Sequence, residues 1–169
     1  MMIKPANAKA ADFDRPSFYL AGPIANANAI QKEKWREHAA ETLDRLGFDA
    51  ISPLGKERWD KRAIVQSDLQ SIQRATAMIA WVPPEIVSIG TAMEIWYAAK
   101  QLDKPVLVWG QRPEMANPWL LHCAYGIHLT LEETLEFISS YKWQFQDPLA
   151  IYAKRREVEL NLAEISADA

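Results

Sequence analysis

Residues 77–99 read AMIAWVPPEIVSIGTAMEIWYAA, and this stretch decides the fold. Ala77 to Val82 is apolar without interruption. A strand with one wet face alternates, so an unbroken apolar run predicts a strand covered on both faces, as in a parallel sheet. Pro83-Pro84 ends it. Gly90-Thr91 then fits a tight turn into a helix that runs to about Leu102. A buried strand followed by a helix is the repeating unit of an α/β protein.

The same rhythm extends in both directions. Upstream, Ser17 to Ala21 is a short apolar strand closed by Gly22-Pro23. Ala29 to Leu46 reads as a helix, with Ile30, Trp35, Ala39, Leu43 and Leu46 near one face and Lys, Glu and Arg on the other. Gly47 stops it. Phe48 to Ser52 is a second strand, residues 53–62 are a charged loop, and Ala63 to Arg74 is a helix with Ile64, Leu69 and Ile72 inward. Downstream, Pro105 to Trp109 is a fourth strand, followed by a loop to Pro118 and a short helix to about Tyr125. Ile127 to Leu129 is a fifth strand and Leu131 to Tyr141 a helix. Strict alternation predicts an α/β fold, a five-stranded parallel sheet with helices on both faces. Residues 1–16 are expected to be a flexible segment, 17–142 the domain, and 143–169 a helical extension that caps the domain or packs on a neighbouring subunit.

Composition narrows the partners. The chain has 169 residues, 49% hydrophobic and 24% charged, with a formal net charge of -3. No basic run is present to neutralise phosphates, which argues against nucleic acid. Cys123 is the only cysteine, so no internal disulfide forms and a reducing, cytoplasmic setting is expected. No apolar run approaches the roughly 20 residues that span a bilayer, so no membrane association is expected. His122 and His128 make no metal-ligand cluster, and neither a Gly-x-Gly-x-x-Gly nor a Walker-type loop occurs, so no metal or cofactor is implied. Trp59, Trp81 and Trp119 lie at predicted loop edges, where core packing is the default reading and base stacking the alternative.

Ligands of open parallel sheets bind at the carboxyl ends of the strands. That selects the loops at 22–29, 52–62, 82–90 and 109–118 and the first turns after them. Glu94 stands one turn into the helix that begins at Gly90. Alone, an early-helix glutamate is a surface residue that favours the helix dipole. Here Ala92, Met93, Ile95, Trp96, Ala98 and Ala99 make the helix apolar around most of its circumference. A lone carboxylate on a largely buried helix needs a partner or a purpose.

Three motifs give the purpose. Tyr-Leu-Ala-Gly-Pro at 19–23, Ser-Asp-Leu-x-x-Ile at 67–72 and Ser-x-Gly-Thr-Ala-Met-Glu at 88–94, in this order and spacing, resemble the nucleoside 2-deoxyribosyltransferase family over about residues 17–140. The resemblance implies a flavodoxin-like (Rossmann-like) sheet and a retaining mechanism. Glu94 matches the glutamate that attacks the anomeric carbon, and a second base or water then takes the sugar. A nearby carboxylate suits an oxocarbenium-like centre, and two displacements divide one hard step. Tyr19 matches the tyrosine that orients the nucleophile; otherwise it is a core residue. Asp68 matches an aspartate that holds the sugar; otherwise it is a solvated helix residue. If Asp68 lies near Glu94, the two carboxylates would disfavour double ionisation and raise one pKa, which could supply a proton to the leaving base. Gly22, Ser88 and Gly90 are expected to line the substrate. Asn117 resembles the residue given by a neighbouring subunit to the sugar 5′ end, which would require a homo-oligomer; otherwise it is a turn residue before proline.

The chain departs from the family in one place. Transferases often carry an aspartate where Ser88 stands. Serine there resembles the branch that hydrolyses nucleoside 5′-monophosphates. That branch also places a serine and an arginine after the first strand, where this chain has Pro23 and Ala25, so an uncharged 5′ end is favoured. Transfer between nucleobases, hydrolysis of a nucleoside or its 5′-monophosphate, and a non-catalytic nucleotide-binding module are the three readings.

Overall fold

The computed structural model describes residues 4–5, 15–25, 27–56 and 59–146. The elements are β1 (Lys4–Pro5), β2 (Ser17–Ala21), α1 (Ala29–Leu46), β3 (Asp49–Ser52), α2 (Lys61–Arg74), β4 (Ala77–Trp81), α3 (Ile89–Trp96), β5 (Val106–Trp109), α4 (Pro118–Cys123), β6 (Gly126–His128), α5 (Leu131–Ser140) and α6 (Lys142–Gln146). The sheet order is β1-β3-β2-β4-β5-β6, and every pairing is parallel. The five expected strands are all present. The two-residue β1 adds a sixth at the β3 edge, from a stretch the sequence marked as loose. Of the expected helical extension at 143–169, residues 143–146 belong to α6 and residues 147–169 lie outside the described residues.

Side-chain chemistry sets the helix limits. Asn28, Asp60, Ser88, Asn117 and Thr130 each accept a bond from a first-turn amide of α1, α2, α3, α4 and α5. Asn28 with Gln31 and Thr130 with Glu133 complete capping boxes. Gly47 ends α1 at φ +89°, a left-handed position that suits glycine. After α3 the helix continues as a wider π turn, Tyr97–Gln101.

Strand periodicity divides the core. Phe18, Leu20, Ile79 and Leu107 pack with Trp35, Leu43, Ile138 and Phe145 on the face of α1, α5 and α6. Tyr19, Ala21, Met78, Ala80, Val106 and Val108 point the other way, onto Ile72, Ile95, Ala98 and Cys123. Adjacent strand residues alternate faces, so Tyr19 is committed to the α2–α3 side.

Several inferred faces differ. Ile30, expected inside, is exposed, whereas Arg36, among the residues assigned to the wet side of α1, is 1% exposed. Trp119 and Trp59 are exposed and not core, while Trp81 is buried as expected. The outer side of α3 is also open in the single chain: Ile89 is 74%, Met93 67% and Trp96 44% exposed. The helix that carries Glu94 is therefore less buried than its apolar composition implied.

Candidate active site

The site is built where α2 and α3 cover β2. Tyr19 is fully buried on β2, and its hydroxyl donates a 2.8 Å hydrogen bond to Glu94 Oε1 on α3. Glu94 is partly buried. Asp68, on α2, completes the group and forms an ion pair through Oδ1 with the ammonium of Lys56. Lys56 follows β3 and is itself buried. On the far side of β2, Arg36 sends Nε to the Leu20 carbonyl at 3.1 Å and Nη2 to the Gly22 carbonyl at 3.0 Å. Its Nη1 donates to the Lys32 carbonyl, and the guanidinium lies 4.5 Å from the Trp35 ring centroid. Arg36 thus fixes the backbone on either side of Ala21.

Electrostatics follow from this packing. Burial pushes the Glu94 carboxyl up to about 7; the Tyr19 hydroxyl opposes this, Asp68 adds to it, and Arg36 and Lys56 oppose it. Burial, then the Glu94 charge, pushes the Tyr19 phenol well above its ordinary value, so it stays a hydrogen-bond donor. Burial lowers Arg36 to about 10, which leaves it a cation at neutral pH. Asp68 is among the groups that raise the Glu94 carboxyl, as expected for neighbouring carboxylates. Asp68 is engaged by an ammonium, and a carboxylate in an ion pair accepts hydrogen bonds and donates none.

The structure brings Tyr19, Asp68 and Glu94 together. Gly90 lies one turn before Glu94, and a side chain there would meet open space. Gly22 has a packing reason to be glycine: an added Cβ would lie 3.0 Å from the Trp35 ring and 3.2 Å from Arg36 Nη2. Ser88 caps α3, and its hydroxyl is bonded to Thr91 Oγ1 at 2.8 Å. Ser88 and Thr91 line an open, mainly apolar groove of about 560 Å³ between α3 and α4, with Trp81, Ile95 and Asn117. Glu94 leaves α3 on another face, toward Tyr19. Asn117 caps α4 through a 2.9 Å bond from the Trp119 amide and sits on the groove rim, outside the Glu94 cluster of the single chain.

Lys56 and Arg36 are the site residues that the sequence reading missed. Lys56 stood within a charged loop. Arg36 had one available signal: Trp35, Ala39, Ala40 and Leu43 surround it on the helix with apolar or small residues, leaving room for a buried long side chain. Among the described residues no group of three or more His, Cys, Asp or Glu side chains is arranged to hold a metal ion. No helix among them is long and apolar enough to cross a membrane.

The doubly wound parallel sheet, with a phenol-bonded carboxylate against one face, is an α/β architecture that binds ligands at the carboxyl ends of its strands. The nucleoside 2-deoxyribosyltransferase family model matches residues 18–140, and the chain belongs to that family. Its fold is similar to that of the 2-deoxyribosyltransferase from Leishmania mexicana, with 21% identity, TM-score 0.61, and coverage of 75% of this chain and 98% of that one. The 2-deoxyribosyltransferase of Bacillus psychrosaccharolyticus gives 21% identity and TM-score 0.58 over 70% of this chain and 90% of that one. CMP N-glycosidase BcmB of Clostridium botulinum gives 19% identity and TM-score 0.54 over 74% and 98%. No curated protein matches the chain in sequence. The family makes the chain an enzyme, a glycosyltransferase or an N-glycosidase.

Proposed function

We propose that the enzyme transfers 2-deoxyribose between nucleobases through a covalent glycosyl-Glu94 ester. The single observation that carries this reading is the 2.8 Å Tyr19–Glu94 bond between β2 and α3. Ionised Glu94 attacks C1′, and the electrons of the C1′–N bond leave with the base, which takes up a proton. A nitrogen of a second base then attacks C1′ from the vacated face, and the Glu94 carboxylate leaves. Tyr19 keeps its proton and fixes the direction of the Glu94 oxygen. Asp68 supplies an acceptor for a sugar hydroxyl.

Hydrolysis is the second reading, favoured by Ser88 where transferases often have an aspartate, and by the fold shared with a CMP N-glycosidase. Pro23 and Ala25 offer a 5′-phosphate neither a hydroxyl nor a charge, which favours nucleosides over monophosphates. The exposed apolar side of α3, with Asn117 on the adjoining rim, supports a homo-oligomer in which Asn117 completes a neighbour's site. The lone, buried Cys123 suits a cytoplasmic protein.

Incubation with 2′-deoxyadenosine and free cytosine separates the readings. Deoxycytidine and adenine as products support transfer. Adenine and free deoxyribose alone support hydrolysis. Full activity in Glu94→Ala would remove both.

A further inference from the structure

Lys56 is 5% exposed, and a lysine is seldom buried this far without a partner. Its partner is Asp68, whose side chain is 14% exposed. Asp68 and Glu94 both act on the Tyr19 phenol, so they are two carboxylates of one poorly solvated cluster. Two like charges in such a cluster disfavour double ionisation. The cations near them are not equivalent. Arg36 is committed to the carbonyls of Leu20, Gly22 and Lys32. Among the described residues, the ion pair to a carboxylate of this cluster comes from Lys56.

Resting on the reading of Glu94 as nucleophile, we infer that Lys56 is a positioning residue for the reaction. It neutralises and immobilises Asp68 so that Glu94 can carry its negative charge beside it. The titratable and charged groups that face Glu94 come from four places: Tyr19 on β2, Arg36 on α1, Lys56 after β3 and Asp68 on α2. Only Lys56 and Asp68 form an ion pair with each other among these. Removal of Lys56 alone therefore leaves Asp68 as an uncompensated neighbour of Glu94. Removal of both charges restores the balance. A merely structural lysine would not produce that pattern.

Carbonyl ¹³C NMR titration of Glu94 in the labelled full-length protein reads the effect without substrate. In Lys56→Met the Glu94 midpoint is expected to rise by about one pH unit, the low end for a lost neighbouring charge. Lys56→Arg should stay near wild type. The double variant Lys56→Met/Asp68→Asn should return toward wild type. If Lys56→Met does not fold, Lys56→Gln, which can still bond Asp68 without a charge, carries the same expectation. An unchanged Glu94 midpoint in a folded Lys56→Met or Lys56→Gln protein overturns the inference. Base exchange between 2′-deoxyadenosine and cytosine, followed against pH in the same proteins, should move its acid limb by the same amount. A wild-type enzyme that turns neither substrate over, yet whose Glu94 midpoint responds to Lys56, would sink the glycosyl-transfer reading and leave only the electrostatic link.

Discussion

Tyr19 and Glu94 stand 75 positions apart in the chain and are joined by a 2.8 Å hydrogen bond. Strand alternation turns Tyr19 toward α2 and α3, and α3 returns over the same face after β4. The phenol is too buried to ionise readily, so the bond has one direction: oxygen donor to carboxylate.

Replacement of Glu94 tests the chemistry and the fold separately. Glu94→Ala and Glu94→Gln should reduce base exchange to background with an unchanged circular dichroism spectrum. The stability effect has a definite sign. The folded carboxyl is raised to about 7 from 4.5, so ionisation between those values costs stability as pH rises. Glu94→Gln should therefore melt higher than wild type at pH 8, by about 1–3 kcal/mol, and the gain should vanish near pH 4. Equal melting at both pH values would contradict the raised carboxyl.

On the proposed mechanism Glu94 attacks in its ionised form, so kcat/KM should fall as pH drops through about 7. A pH–rate profile flat from 5 to 8 would mean that Glu94 is not the group whose charge limits the reaction.

Tyr19→Phe removes the donor that opposes the rise in the Glu94 pKa. The acid limb should move to higher pH, and kcat should fall by roughly 10- to 100-fold, the worth of a hydrogen bond to a charged group. Loss of rate without movement of the limb would assign Tyr19 to packing alone.

Arg36→Met keeps an apolar stem of similar length but withdraws the donors from the carbonyls of Leu20, Gly22 and Lys32. Stability should fall by about 2–4 kcal/mol, since buried polar groups lose their partner. Urea unfolding measures this, and a change below about 0.5 kcal/mol would show that those carbonyls find other donors.

The open apolar side of α3 bears on assembly. Met93→Glu should dissociate an oligomer in sedimentation velocity and lower activity with it. Mixing Glu94→Ala with Asn117→Ala should restore part of the exchange rate if each variant supplies what the other lacks. A wild-type protein that sediments as an active monomer would exclude the shared site.

The sequence by itself determined the parallel α/β fold. A short unbroken apolar run such as Ala77 to Val82, closed by Pro83-Pro84 and alternating with helical segments, fits a strand covered on both faces. It also marked Tyr19, Asp68 and Glu94, because each belongs to one of three motifs whose order and spacing are visible in the chain. Tertiary structure alone decided which charges surround them. Arg36 and Lys56 look like wet residues in a linear pattern, since periodicity reads apolarity and is blind to a cation buried against carbonyls or a carboxylate. It also decided that Glu94 carries a raised pKa, because that depends on desolvation and distances between segments far apart in the chain.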